Sequence, residues 1–239
     1  MINEIKNPQE LKLTRPKFVC DEILSPLIPK PFANVHSFTC LVGASRSGKT
    51  SLLINMLTNK SIYYQVFENI LVIMPTHSMN SMQNNIFEAI DPSKKFPELN
   101  SETLTDVLHQ LEAYSDLDEH SLLVLDDVTA SLKDKQVQKL LSRIIANRRH
   151  LKCSIILAVQ WWNSIPLNLR KQCNGLILFS PKNNKEMRSI AEEMSRYDPD
   201  IFKKICDHCF NEPYTWMAIN KDDNTIHKMF SLLEIDDNK

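Results

Sequence analysis

Apolar positions in this chain alternate between two periods. Short runs that are apolar at nearly every position occur at 37–42 (SFTCLV), 69–74 (NILVIM), 121–127 (SLLVLDD), 153–159 (CSIILAV) and 174–180 (NGLILFS). Runs of this length without polar interruption predict strands buried on both faces of a sheet. Between them the spacing becomes helical. Leu52, Leu53, Met56 and Leu57 predict a helix over 49–60, and Ser101 ahead of Leu104, Val107, Leu108 and Leu111 predicts a capped helix over 101–114. Val137, Leu140, Leu141, Ile144 and Ile145 mark one face of a helix over 134–150, with Lys135, Lys139 and Arg143 on the other. Helices near 184–196 and 199–208 follow, and then a hairpin, YTWMAI and TIHKMF about the polar turn NKDDN at 220–224.

Strands alternating with helices predict an α/β fold with a mostly parallel central sheet covered by helices on both faces, plus the C-terminal β-hairpin. Residues 1–36 break the pattern. They carry Pro8, Pro16, Pro26, Pro29 and Pro31 with little periodicity, which predicts an extended arm ahead of a domain spanning 37–239.

Composition narrows the setting. The 239 residues are 43% hydrophobic and 24% charged, enough for one sizeable core. No apolar run reaches the ~18 residues of a membrane span. The start, MINEIKNPQELK, lacks an apolar signal core, so an intracellular protein is expected. The cysteines Cys20, Cys40, Cys153, Cys173, Cys206 and Cys209 then read as reduced thiols. A net charge of -1 argues against wholesale coating of nucleic acid, but leaves room for DNA held by a few residues from several subunits.

Glycine changes the picture most. The chain has three, Gly43, Gly48 and Gly175, and two of them fall in GASRSGKT, residues 43–50. Gly43, Ala44, Ser45, Arg46, Ser47, Gly48, Lys49 and Thr50 fit G-x-x-x-x-G-K-[ST], with a strand before and a helix after, the context this phosphate-binding loop requires. Loop amides and the helix start, including Ser51, would cradle phosphates. Lys49 would reach the β- and γ-phosphates of ATP, and the Thr50 hydroxyl would meet Mg²⁺. The run LLVLDD supplies Asp126 for the metal at a strand's carboxyl end, and Asp127 as the base or water-orienting carboxylate. Two carboxylates directly after an apolar strand are costly beside a core unless something binds them.

Two other nucleotide enzymes fit less well. NKDD at 220–223 matches the guanine-reading N-K-x-D, but a switch GTPase also needs D-x-x-G, and Gln172 stands three residues before the last glycine, Gly175. A small-molecule kinase needs an arginine-rich lid, and no segment offers one. Gln160 points elsewhere. It ends the strand 153–159, where a polar group would face a γ-phosphate if that strand lay between the loop strand and the acid-bearing strand.

With LVGASRSGKTSLL, LLVLDDV, NRRHLKCSIILAVQ and QWWNSIPLNLRKQCNGLILFS in view, the chain resembles the FtsK/HerA superfamily of ring ATPases. Within it, the chain resembles the packaging ATPases of poxviruses, other large DNA viruses and virophages. The likeness covers roughly 36–230, and its specificity rests on RRH, Gln160 and the order of strands. It implies a P-loop NTPase fold of the RecA-like (ASCE) type and ATP-driven translocation of double-stranded DNA into a viral capsid by a homo-oligomeric ring. The implied partners are DNA and capsid or portal components, at a host-cytoplasmic assembly site or in the virion. An arginine from one subunit would complete a neighbour's site, with Arg149 the first choice and Arg148 the second. Many relatives carry Glu where this chain has Asp127, which is one methylene shorter. A DNA translocase of transfer or repair, and a non-hydrolysing nucleotide-dependent assembly protein, remain as alternatives.

Other features have plainer readings. Cys206-x-x-Cys209 has no second ligand pair for zinc, and reads as buried thiols. Trp161 and Trp162 read as packing residues. Lys133, Lys135, Lys139 and Arg143 fit a pore lining or a solvated helix face equally well.

Overall fold

A computed structural model describes residues 28–80 and 86–235. Most of the expected arm, including Cys20, lies outside the described residues. Among the described residues one nine-stranded sheet organises the fold: β1 (Phe38–Val42), β2 (Asn69–Ile73), β3 (Lys95–Phe96), β4 (Ser121–Asp126), β5 (Cys153–Val159), β6 (Gly175–Phe179), β7 (Trp216–Asn220), β8 (Thr225–Lys228) and β9 (Ser231–Leu232). Their order is β3-β2-β4-β5-β1-β6-β7-β8-β9. The first six in that order run parallel, and the last three join antiparallel.

The helices are α1 (Lys49–Thr58), α2 (Thr76–Asn80), α3 (Ser101–Asp116), α4 (Lys135–Ala146), α5 (Leu167–Arg170), α6 (Asn184–Met194) and α7 (Pro199–Cys209). Alternate strand residues feed two separate cores, because successive side chains point to opposite faces. Leu123, Leu125, Ile155 and Leu157 pack with residues of α3, α4, α6 and α7. Leu122, Val124, Ile156 and Ala158 pack with Leu53, Met56 and Leu57 of α1. This double burial explains the uninterrupted apolar runs.

The second core also takes in Ile28, Phe32 and Val35. Tyr63 donates from its hydroxyl to the Ala33 carbonyl (2.5 Å), and Phe32 meets Trp216 with ring centroids 5.9 Å apart. Residues 28–36 are therefore packed against the body of the fold rather than extended away from it.

Three local readings change. Asn100, not Ser101, caps α3, its side chain accepting from the Thr103 amide. Helix α4 stops at Ala146, and the Arg148 carbonyl accepts from the Cys153 amide (2.8 Å), so the basic pair lies in the turn entering β5. β3 and β9 have two residues each, too few to carry a period. NKDDN forms the β7–β8 turn as expected.

Candidate active site

Strand order brings the predicted residues together. β5 lies between β1 and β4, with Val42 beside Val159 and Asp126 beside Ala158. The loop after β1, the acids ending β4 and Gln160 after β5 therefore emerge side by side at the carboxyl edge of the sheet. The ladder continues into the loop, where the Gly43 amide donates to the Val159 carbonyl (3.2 Å).

The loop's glycines have separate reasons. A Cβ on Gly43 would lie 2.6 Å from the Phe179 Cβ and 2.8 Å from the Ser47 Oγ, too close for any other residue. Gly48 has φ 102°, a left-handed backbone that a side chain strains. Helix α1 then starts with no side chain capping its first amides. By contrast, Asn100, Asp134, Asn183 and Asp198 cap α3, α4, α6 and α7. Uncapped amides at the end of the loop suit an anion.

Lys49 is folded back on this loop, its Nζ donating to the carbonyls of Gly43 (2.6 Å) and Ala44 (2.9 Å). Burial lowers its pKa, while Asp126 and Asp127 oppose the change. The Thr50 hydroxyl donates to Asp126 Oδ2 (3.1 Å). Burial raises the Asp126 pKa, against the Thr50 hydrogen bond and the Lys49 charge. A buried carboxylate beside a hydroxyl is an oxygen donor pair suited to Mg²⁺, which favours one or two protein oxygens plus substrate phosphates. Among the described residues no group of three or more His, Cys, Asp and Glu side chains forms a fuller cage.

Asp127 is exposed and in the left-handed region (φ 56°). Its Oδ2 accepts from the Ser78 hydroxyl (2.8 Å), with His77 Nε2 3.7 Å away. Both neighbours belong to α2, a helix with no distinguishing sequence signal, and sequence reading missed them. Lys49, Thr50, Ser78, Asp126, Asp127 and Gln160 line one cleft of about 270 Å³, together with Ser45, Arg46 and Thr129. Ser51 is exposed and borders neither this cleft nor the larger one beside it.

The tryptophans separate. Trp162 is fully buried, whereas Trp161 is 49% exposed, so packing describes only the second. The Trp162 amide donates to Glu186 Oε1 (2.7 Å) and its Nε1 to Glu193 Oε2 (3.1 Å). Arg170 reaches Glu193 Oε1 at 2.8 Å and lies over the Trp162 ring. The segment following Gln160 is thereby tied to α6.

Arg148 and Arg149 lie at the amino end of β5, across the sheet from the cleft. Arg148 donates to the carbonyls of His36 (2.9 Å) and Ile145 (3.0 Å), and Arg149 is exposed. Neither arginine belongs to its own chain's cleft. Cys206 and Cys209 are packed in the core, and burial raises both thiol pKa values, to about 12 and about 11.

Solved structures share this architecture. The DNA-packaging ATPase B204 of Sulfolobus turreted icosahedral virus aligns at 15% identity over 82% of this chain and 97% of that one, with a TM-score of 0.64. The genome-packaging NTPase B204 of Sulfolobus turreted icosahedral virus 2, in complex with AMPPCP, aligns at 15% identity over 81% and 97%, with a TM-score of 0.58. The cytoplasmic domain of the type VII secretion ATPase EccC of Thermomonospora curvata aligns at 12% identity over 83% of this chain and 24% of that one, with a TM-score of 0.53. At these identities the likeness is one of fold, that of P-loop ATPases. No curated protein sequence matches the chain. The family model described as poxvirus A32 protein matches residues 30–199, from the segment before β1 through α6, and the chain belongs to that family.

Proposed function

We propose that this chain is an ATP-hydrolysing motor that drives double-stranded DNA into a viral capsid. Support comes from the gathering of Lys49, Thr50, Asp126, Asp127 and Gln160 in one cleft, in a chain of the poxvirus A32 protein family. The B204 proteins that share its fold are packaging enzymes.

In this reading the loop amides and the uncapped start of α1 bind the phosphates of ATP. Lys49 exchanges its two carbonyl partners for the β- and γ-phosphates, so charge moves onto the site only when nucleotide arrives. Thr50 and Asp126 would hold Mg²⁺, which when bound neutralises charge on the phosphate oxygens. Asp127 takes the proton of the attacking water, with Ser78 fixing one carboxylate oxygen so that the other faces the cleft. The Gln160 amide donates to the γ-phosphate and senses its loss. Arg149 of one subunit completes the neighbour's site in a homo-oligomeric ring. The capsid or portal is the partner that receives the DNA, at the host-cytoplasmic assembly site or in the virion.

The test is ATP turnover with and without duplex DNA, for the wild type and Lys49→Ala. A motor gives DNA-stimulated turnover that the substitution abolishes. Nucleotide binding without turnover would instead identify an assembly protein, and absence of DNA stimulation in the assembled ring would refute the motor.

A further inference from the structure

The β5 ladder stops one residue short of Gln160. Its last contact is the Val159 carbonyl, which accepts from the Gly43 amide, and Gln160 itself is exposed at the cleft. Where the glutamine sits therefore depends on the chain that follows it. Trp161 is extended (φ -152°, ψ 146°), and a single tight turn, Trp162–Ser164, comes next. The Trp161 carbonyl accepts from the Ser164 amide (3.1 Å) and hydroxyl (2.6 Å), which closes that turn.

Helix α6 holds the turn at two separate points. One is the Trp162 ring: its Nε1 donates to Glu193, and Arg170 lies over the ring while paired to the same carboxylate. That contact seats the buried side chain. The other is the Trp162 main-chain amide, which donates to Glu186 Oε1 at 2.7 Å. Glu186 is 4% exposed, a place where a carboxylate is costly unless hydrogen-bonded. Asn183 caps α6 and its side chain accepts from the Glu186 amide (2.8 Å), so the two residues have the spacing of a capping box. In such a box the glutamate reaches back to its own helix start. Here its Oε1 reaches across to another segment. A bond to that amide fixes the peptide plane between Trp161 and Trp162, and so the direction in which the chain leaves Gln160. A short bond to a carboxylate does this more firmly than a neutral one.

We propose that Glu186 is a positioning residue for Gln160, setting the sensor's place in the cleft through the Trp162 amide. The proposal rests on the ATPase reading above, in which the Gln160 amide meets the γ-phosphate. Groups that act on a transition state have to be held to within about 0.5 Å, and a misplacement of about 1 Å can cost ~10²-fold in rate.

The experiment is a double-mutant cycle on DNA-stimulated ATP turnover by the full chain, with ATP binding and thermal melts measured alongside. The four proteins are wild type, Glu186→Ala, Gln160→Ala and the double variant. Glu186→Ala should lower kcat about 10- to 100-fold with ATP affinity unchanged. In the Gln160→Ala background the same substitution should change kcat by less than about twofold, since nothing is left to position. Glu186→Gln keeps an oxygen for the Trp162 amide and should recover turnover to within about threefold of wild type. Glu186→Asp, one methylene shorter, should behave as the alanine variant does, and it carries the cycle if the alanine variant does not stay folded. An equal fractional loss of kcat in both backgrounds would identify a purely structural role and overturn the proposal. So would wild-type turnover in Glu186→Ala, or a loss of ATP affinity matching the loss of kcat. Failure of the underlying reading looks different: wild-type turnover in Gln160→Ala would remove the sensor, and no turnover in the wild type would remove the ATPase, and the proposal with either.

Discussion

The Ser78 hydroxyl donates to the Asp127 carboxylate at 2.8 Å, linking the helix after β2 to the acid that directly follows β4. In the proposed mechanism Asp127 must reach a water molecule with a short side chain, and its backbone is left-handed. Its orientation therefore depends on what holds the carboxylate. Ser78→Ala should lower kcat about 10-fold, the equivalent of one charge-assisted hydrogen bond, with ATP affinity unchanged. Ser78→Thr should restore it. Steady-state turnover alongside direct nucleotide binding checks this, and an equal loss of affinity would point to a binding role instead.

Gln160 is held from behind. Glu186 is buried and accepts the Trp162 amide, two residues beyond the glutamine. Gln160→Ala should lower kcat about 10- to 100-fold with little change in nucleotide affinity or melting temperature, as for loss of a transition-state hydrogen bond. Trp162→Ala should instead lower stability by about 3–5 kcal/mol, as for other large buried side chains. Denaturant melts separate the two effects, and a Gln160→Ala variant of wild-type activity would remove the sensor from the mechanism.

Arg148 is committed to the His36 and Ile145 carbonyls of its own chain. Arg148→Ala should therefore lower the melting temperature whether or not a ring forms. Arg149→Ala should leave ATP binding alone, yet cut turnover by about 10³-fold in the assembled state. Mixing it with Lys49→Ala subunits tests the arrangement in trans. Recovery of activity in the mixture is expected, because each chain supplies what its neighbour lacks; no recovery would count against Arg149 as the group provided.

His36 gives a pH dependence of known sign. Burial, then the adjoining His120, Lys152, Arg149 and Arg148, lower its pKa from 6.5 to about 4. Its ring nitrogen Nε2 lies 3.0 Å from Nδ1 of His120. The unfolded chain then binds the extra proton between those values. Stability contributed by neutral His36 is present above pH 6.5 and lost as pH falls toward about 4, below which the dependence ends. The loss is on the order of 1–2 kcal/mol, because salt screens the part of the shift that comes from Lys152 and the exposed Arg149. Thermal melts from pH 4 to 7 should show it in the wild type and a flatter profile in His36→Asn, a residue that tolerates the local left-handed backbone. Identical slopes would exclude His36 as the cause.

Much of the site was legible before any fold was known, because its chemistry is local. GASRSGKT carries its own turn and helix start, and Asp126 and Asp127 follow directly from a run of strand residues. Gln160 was legible more indirectly, as a polar break after an apolar run, and its meaning depended on which strands flank β5. Ser78 and His77 had no signal. Both belong to a short helix without a period, and both matter through Asp127, distant in sequence. The tryptophan pair shows the same boundary: adjacent letters of one kind, Trp162 fully buried against α6 and Trp161 facing solvent.

By itself, the sequence determined the parallel strands, the helices between them, the phosphate loop and the two acids, since all follow from periodicity and spacing within a few residues. Only the tertiary structure decided that β5 inserts between β1 and β4, that α2 supports Asp127, and that the basic pair faces away from its own cleft. Those are pairings across long stretches of chain, fixed by which apolar faces pack against which. A residue's neighbours in a sheet are chosen by the whole fold, not by its place in the sequence.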